Sequence, residues 1–328
     1  MPVAAEQDAA PRERRIRLIA DGVGSDAAAH EHRLLRAARP ALPVLNWLGQ
    51  FARPIMRVPF LGWITSDPIV ARQLLNDPVH LTLLSEGGVG HLWAQILGDW
   101  VYELFDGPGH HALRTRSKEL FTERTSAAFV EHAWGRRLAE ARAAFEAGEP
   151  LDLADLSRIL VGRMVTQLLG LPVDEGRGDD TYRDIFATGE RLASIALGTT
   201  ADTELSPEKI ALARGIVDEL TAHIDAVFPS ADPDTVIGRC RELGLSLRET
   251  KGLSTLLMVA GTETAASAMA RMAAILYDSG ELPRLLAHPE HRDDTVREAL
   301  RVTSPAPLIG RSVLSDVEVA GRTLRAGE

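Results

Sequence analysis

The sequence predicts a mainly α fold with a small β region. Three observations carry this. Alanine, leucine, arginine and glutamate dominate, and only 3 of the 328 residues are tyrosine, a composition that favours helices over an all-β fold. Apolar residues recur at helical spacing, as in Leu156, Ile159, Leu160, Met164, Leu168 and Leu169, the mark of a helix with one buried face. Strict alternation is confined to a short stretch, Ser312 to Val319, which reads as β.

The elements follow in order. Residues 1–45 are expected to form a weakly ordered N-terminal segment, and 46–328 a single domain. Val58 to Thr65 is a short apolar run with a glycine and reads as a strand. Asp67-Pro68 supplies an N-cap and a first helical residue for a helix through Leu75, stopped by Asp77-Pro78. Leu81 to Gly98 carries Gly87, Gly88 and Gly90 and reads as a loop with helical pieces. Asp106-Gly107-Pro108-Gly109 is a turn that opens a new helix. Ser126 to Ala147 is a helix ended by Gly148, and Leu153 to Leu171 and Pro207 to Phe228 are two more. Ser246-Leu247-Arg248-Glu249 is a capping box, in which serine and glutamate each satisfy an end-of-helix amide. From there helix-forming residues run without proline to about Asp278, a span of ~50 Å. Apolar residues lie on nearly all sides of this helix, so it belongs in an interior. Leu282 to Ala287 and Arg292 to Arg301 are shorter helices. After the alternating stretch, Gly321 turns the chain and Arg322 to Leu324 starts a returning strand.

The charge balance is 36 Lys+Arg against 46 Asp+Glu, a formal net charge of −10. Such a chain lacks the basic excess on which nucleic-acid affinity rests. One cysteine, Cys240, excludes an internal disulfide and any multi-cysteine metal site. No stretch reaches the ~18–20 apolar residues that span a bilayer, and residues 1–15 lack the apolar core of a secretory signal. A cytoplasmic protein without a membrane partner is expected.

Four groups of residues could carry chemistry. Ala260-Gly261-Thr262-Glu263-Thr264 sets a glycine, an acid and hydroxyls in the middle of the long apolar helix. Gly261 costs about 1 kcal/mol against alanine there, and a buried Glu263 costs more unless paired. Two liabilities at one spot point to a ligand against that face, with carboxylate and hydroxyl handling protons; the alternative is an ordinary buried polar cluster. Glu298 and Arg301 lie three apart on a helix and can pair, as surface residues commonly do. His110 and Arg114 lie four apart on one face of a new helix. Two adjacent cations make sense if both donate to one anion, with Arg311 as a third donor; singly, each reads as a solvated cation.

Together these residues resemble the bacterial cytochrome P450 family, from about residue 55 to residue 328. Asp106 to Thr122 is similar to the start of the family's C helix, with His110 and Arg114 in its H-x-x-x-R positions. Ala260 to Thr264 resembles the oxygen-activation motif of its I helix, Glu298 to Arg301 its E-x-x-R, and Ser304 to Glu328 the segment that follows, with Arg311 at the propionate-binding arginine. Leu151 to Pro172 is similar to its E-helix region. The resemblance implies haem b as cofactor. Thr264 and Glu263 would deliver protons to the bound oxygen, Ala260 and Gly261 would face the haem, and His110, Arg114 and Arg311 would hold the propionates. Residues 81–100 would cover the substrate pocket, and Pro307 to Ile309 would line part of it. Arg114, Arg116 and Lys118 would add to a basic surface for a ferredoxin-type redox partner. The implied activity is O2-dependent oxidation of a small organic substrate.

The family's iron is held by a cysteine thiolate in a glycine-rich loop well after the E-x-x-R. Cys240 lies upstream of the long helix and matches no ligand position, so no metal ligand is assigned. The expectation is a P450 chain incomplete at its C-terminus, without the cysteine loop and last helix, that binds haem weakly or not at all. Two alternatives stand beside it. One is a haem-free P450-like auxiliary protein that activates a partner enzyme such as a glycosyltransferase. The other reads Asp179-Asp180-Thr181-Tyr182-Arg183-Asp184 as resembling the magnesium motif of isoprenoid synthases, with Asp218, Thr221 and Asp225 approximating a second motif; the bland reading there is a helix start whose acids face its dipole.

Overall fold

Helix dominates the computed structural model of the chain, which describes residues 47, 49, 51, 54–59, 62–85, 89–98, 101, 106–197, 204–303 and 309–328. The segment expected to be weakly ordered, 1–45, lies outside them. In chain order the described elements are β1 (Met56–Val58), β2 (Gly62–Ile64), α1 (Pro68–Leu75), β3 (Leu81–Thr82), α2 (Val89–Leu97), α3 (Gly107–Ser117) and α4 (Glu123–Glu146). Then come α5 (Leu153–Leu169), α6 (Asp179–Leu197), α7 (Pro207–Val227), α8 (Val236–Glu242), α9 (Leu247–Asp278), α10 (Glu281–Ala287) and α11 (Arg292–Val302). The strands β4 (Ser312–Val313), β5 (Val317–Val319) and β6 (Arg322–Leu324) close the order. The chain divides into two units, residues 1–71 with 268–305, and 72–267 with 306–328.

In the first unit, β1 and β2 form an antiparallel pair with Met56 opposite Ile64. The run expected as one strand is therefore half of a hairpin, and Gly62, at φ +88°, takes the left-handed backbone that the reversal needs. Asp67 Oδ1 accepts the N–H of Ile69 at 2.9 Å, capping α1 as its Asp-Pro start implies. In α11, Arg301 donates through Nε and Nη2 to the two carboxylate oxygens of Glu298, both at 2.8 Å.

The second unit is built around α5. Ile159, Val161, Val165 and Leu169 are fully buried. A Cβ on Gly162 would lie 2.1 Å from the Tyr182 carbonyl oxygen, so only glycine lets the α5 and α6 backbones touch. From α4, Trp134 Nε1 donates to the Leu160 carbonyl at 2.6 Å. Arg183 of α6 grips Asp155 of α5 with two hydrogen bonds, 2.8 and 2.7 Å. Arg183 and the start of α6 also answer the magnesium reading: Asp179 pairs with Arg137 and Arg163, Asp180 with Arg183, and Asp184 with Arg177. These acids neutralise arginines, and among the described residues no group of acids, histidines or cysteines is placed to hold a metal ion.

Other local expectations are corrected here. Leu81 to Gly98 holds a two-residue strand and a nine-residue helix, α2, with 86–88 outside the described residues. The helix expected from Ser126 starts at Glu123, because Thr122 Oγ1 accepts the N–H of Thr125. The β-like stretch from Ser312 splits in two. β4 pairs with the distant β3 (Leu81 opposite Val313), while β5 and β6 form a hairpin. That hairpin turns on Ala320 and Gly321, both at positive φ (50° and 74°), the backbone a two-residue turn of this hand requires. No described helix is long and apolar enough to cross a membrane.

Candidate functional site

The site is built on α9. The capping box forms as its sequence implies: Ser246 Oγ accepts the Glu249 N–H at 3.2 Å, and Glu249 Oε2 accepts the Ser246 N–H at 2.7 Å. The same carboxylate pairs with Arg116 of α3, whose guanidinium also donates to the Gly244 carbonyl at 3.1 Å. Arg116 thus ties α3 to the start of α9 and is not a free member of the basic surface expected from the sequence. Beneath this clamp Leu113 of α3, Cys240 of α8 and Leu253 of α9 pack together with Leu245.

Further along, α9 changes character. Met258, Val259, Thr262 and Ala266 are buried. Ala260 and Glu263 are exposed, and Leu256, Leu257, Thr264 and Ser267 are half-buried. The uncovered residues follow the three-or-four repeat of one helix face. This is the same face that carries Glu249 and Leu253, so one stripe is sealed in the first turns and open from the middle onward. Gly261 sits beside the open stripe, where a Cβ would lie 3.1 Å from Met164 Cε of α5; a close neighbour helix accounts for the glycine as directly as a ligand does. Thr264 Oγ1 donates to the Ala260 carbonyl, and Thr262 Oγ1 to Met258 at 2.6 Å. Burial pushes the Glu263 carboxyl above its ordinary value, the charge of Glu190 on α6 adds to this, and Arg158 on α5 partly offsets it.

Of the three expected cations, Arg311 is brought towards the start of α3. Pairing of β4 with β3 brings Arg311, next to Ser312, towards Thr82, whose hydroxyl donates to Asp106 Oδ2 at 2.7 Å. Asp106 is one turn ahead of His110 on α3, and its charge reaches Arg311. Burial lowers the Arg311 pKa against that attraction. His110 is half-buried, while Arg114 is exposed and lies over the Phe121 ring at 5.4 Å. Sequence alone placed these cations by resemblance; the strand pairing that joins residues 82 and 312 had no local signal. The Glu298–Arg301 pair belongs to the first unit. Of the expected pocket lining, Pro307 lies outside the described residues and Ile309 is exposed.

Two residues were missed. Glu190 and Arg158 face Glu263 from neighbouring helices, and the available hint was Gly189, a lone glycine in a helical pattern that marks a close approach. The described residues also enclose a groove of about 520 Å³ between the end of α2 (Ile96, Leu97), α7 (Val217, Thr221) and the first turns of α9 (Leu247, Lys251). Asp218, Thr221 and Asp225 of the second magnesium-like motif line it, as does the end of the expected pocket cover, while none of the residues expected at the haem does.

No protein-family model matches the chain. The chain is 28% identical over 234 residues to a Bacillus subtilis protein named as a cytochrome P450, YjiB, covering 68% of this chain and 57% of that protein. It therefore spans little more than half the length of that relative. Among solved structures, P450BioI in complex with an acyl carrier protein matches with a TM-score of 0.67 at 21% identity, over 89% of this chain and 76% of its own. CalO2 matches with a TM-score of 0.65 at 24% identity, over 90% of this chain and 74% of its own. These likenesses agree: the chain is similar in sequence to bacterial cytochrome P450s and has the P450 fold.

Proposed function

We propose that the chain carries the oxygen-activating side of a P450-type monooxygenase that oxidises a small organic substrate with O2 and electrons from a ferredoxin-type partner. The observation that carries this reading is the uncovered stripe on α9, where an exposed Glu263 and a half-buried Thr264 follow a stretch that is sealed around Leu253. The residues fit haem on two sides. Ala260 presents only a methyl group to the open face, leaving room for a flat ring. Arg311, His110 and Arg114 would hold the two propionates; a partly buried guanidinium such as Arg311 is stabilised by an anion. On the third side they do not fit. Cys240 is fully buried against Leu113, Leu245 and Leu253, and burial pushes its thiol up to about 11, against a smaller opposing contribution from Thr250. It is not poised as a thiolate. Residues 1–328 alone are accordingly proposed to bind haem weakly and without thiolate ligation.

When bound, haem supplies oxygen activation. The chain's own residues do the rest. The Thr264 hydroxyl gives its hydrogen to the Ala260 carbonyl, which leaves its oxygen lone pairs to accept a hydrogen bond at the open face. Glu263, with its carboxyl held above the usual glutamate range, can donate a proton there and be recharged from solvent, because it is exposed.

The test is a haem titration of the purified chain with an alkanethiol added as external axial ligand, followed by the absorbance of the haem. Saturable uptake, weakened about tenfold or more by Arg311→Ala, is the expected result. Thr264→Ala should leave uptake intact and raise the fraction of electrons lost as hydrogen peroxide. Uptake that does not saturate, or that ignores Arg311, would contradict the reading.

A further inference from the structure

The groove between α2, α7 and α9 stands apart from the open stripe. Leu247, Lys251 and Thr255 line it from α9. At about 100° per residue, they fall nearly opposite Leu253, Ala260 and Thr264 around that helix. The groove is therefore a second concave place, on the side of α9 turned away from the proposed haem pocket. Its volume of about 520 Å³ is that of a small-molecule pocket. Its walls are tied together. Arg214 of α7 donates through Nη2 to the Gln95 carbonyl at 2.8 Å and through Nε to the Ile96 carbonyl at 3.2 Å. Both carbonyls belong to the last turn of α2, which the helix itself leaves unpaired. Gln95 Oε1 accepts the Leu205 N–H at 2.8 Å, just ahead of α7. Lys251 of α9 donates to both carboxylate oxygens of Asp225 on α7, at 3.1 and 3.0 Å. Three helices are thus joined around a space that they do not fill.

The lining divides into an apolar part and a charged part. Ile96 and Leu97 of α2, Val217 of α7 and Leu247 of α9 make the first. The second holds three cations, Arg214, Arg248 and Lys251, against two acids, Asp218 and Asp225. Lys251 and Asp225 cancel each other. Arg214 spends Nε and Nη2 on neutral carbonyls, which leaves Nη1 to donate elsewhere. Arg248 is exposed, and among the described residues it has no hydrogen-bond or ion-pair partner. Asp218, one turn after Arg214, has none either and works against an anion. Two guanidiniums from different helices, without acid partners and beside an apolar patch, suit a carboxylate on an apolar body. The surplus of one positive charge favours a single carboxylate over a doubly charged phosphate ester. We propose that the groove is a second small-molecule site, which takes a monocarboxylate with an apolar body. The carboxylate lies at Arg248 and Arg214, and the body lies against Ile96, Leu97, Val217 and Leu247. Binding is reversible and forms no covalent bond. The site stands without the monooxygenase reading, because no residue expected at the haem lines it.

The experiment titrates the purified chain, without haem, with octanoate and follows the heat of binding. Saturable uptake of one octanoate per chain is expected. Octanol, the same body without the charge, should bind at least about tenfold more weakly. Arg248→Ala, at an exposed position, should weaken octanoate about tenfold, and Arg248→Lys should restore part of the loss. Asp218→Asn should tighten binding, because it removes the opposing charge. Val217→Trp, which fills the groove, should abolish binding if circular dichroism shows the fold retained; Arg248→Ala decides the matter where it does not. Arg311→Ala should change nothing. Octanoate that does not saturate, octanol that binds as tightly, or an affinity that follows Arg311 instead of Arg248 would overturn the inference. Haem uptake is measured separately, so its failure sinks the monooxygenase reading and leaves this site standing.

Discussion

Two glutamates on one face of α9 behave in opposite ways. Glu249 stands in the sealed first turn. Burial pushes its carboxyl up, but the Arg116 guanidinium and the N–H and hydroxyl of Ser246 outweigh this and hold it below the ordinary glutamate range. Glu263, four turns on, is pushed up by burial and by Glu190, with Arg158 offsetting only in part. The first carboxylate closes a helix end; the second is left without such partners on an uncovered stripe. The difference teaches that exposure along a helix need not be a surface property. The same face is covered by Leu113, Cys240 and Leu245 at Leu253 and bare at Ala260. A helix apolar on nearly all sides that is bare on one stretch is shaped around something else.

The comparison can be broken at matched positions. Leu253→Ala, in the covered stretch, should lower stability by about 2–5 kcal/mol in denaturant unfolding, because it removes buried contacts and leaves a cavity. Glu249→Gln should cost about 1 kcal/mol, through the capping box and the Arg116 pair together. Its effect should depend on pH. A carboxyl with a lowered folded value contributes stability above its unfolded value and loses it as pH falls through the folded one. The penalty of Glu249→Gln should therefore shrink in acid. Glu263→Gln should show the reverse. A raised folded value favours the folded state below the unfolded value and loses that advantage as pH rises through the folded one, so the variant should be relatively more stable at neutral pH than in acid. Its size should stay within about 0.5 kcal/mol, as for an exposed site. Ala260→Leu should be nearly neutral, despite lying on the same stripe as Leu253.

Much of this was legible in the sequence, for local reasons. The Ser246–Glu249 box, the Asp67-Pro68 start and the Gly148 stop are rules of adjacent residues, and all three hold. The pentapeptide Ala260–Thr264 was legible because glycine and glutamate are liabilities inside an apolar helix. What escaped depends on distant pairing. β3 has two residues and no pattern of its own, yet its partner β4 is what carries Arg311 to Asp106. α6 was read only as an acidic cluster, although Phe186, Leu192 and Ala193 give it a buried apolar face behind the arginine pairs at its start. Glu190 was hidden because Glu263, the carboxyl on which its charge acts, lies more than seventy residues away. Arg116 was expected on a docking surface, and its partner Glu249 lies across the chain.

The central claim is that the bare stretch of α9 is one wall of a haem pocket. Ala260→Trp tests it most directly, because it fills that space from an exposed position without touching the core. With alkanethiol as external ligand, the wild-type chain should take up haem saturably, and Ala260→Trp should bind at least about tenfold more weakly with an unfolding midpoint within about 0.5 kcal/mol of wild type. Equal haem affinity in the two proteins would contradict the account.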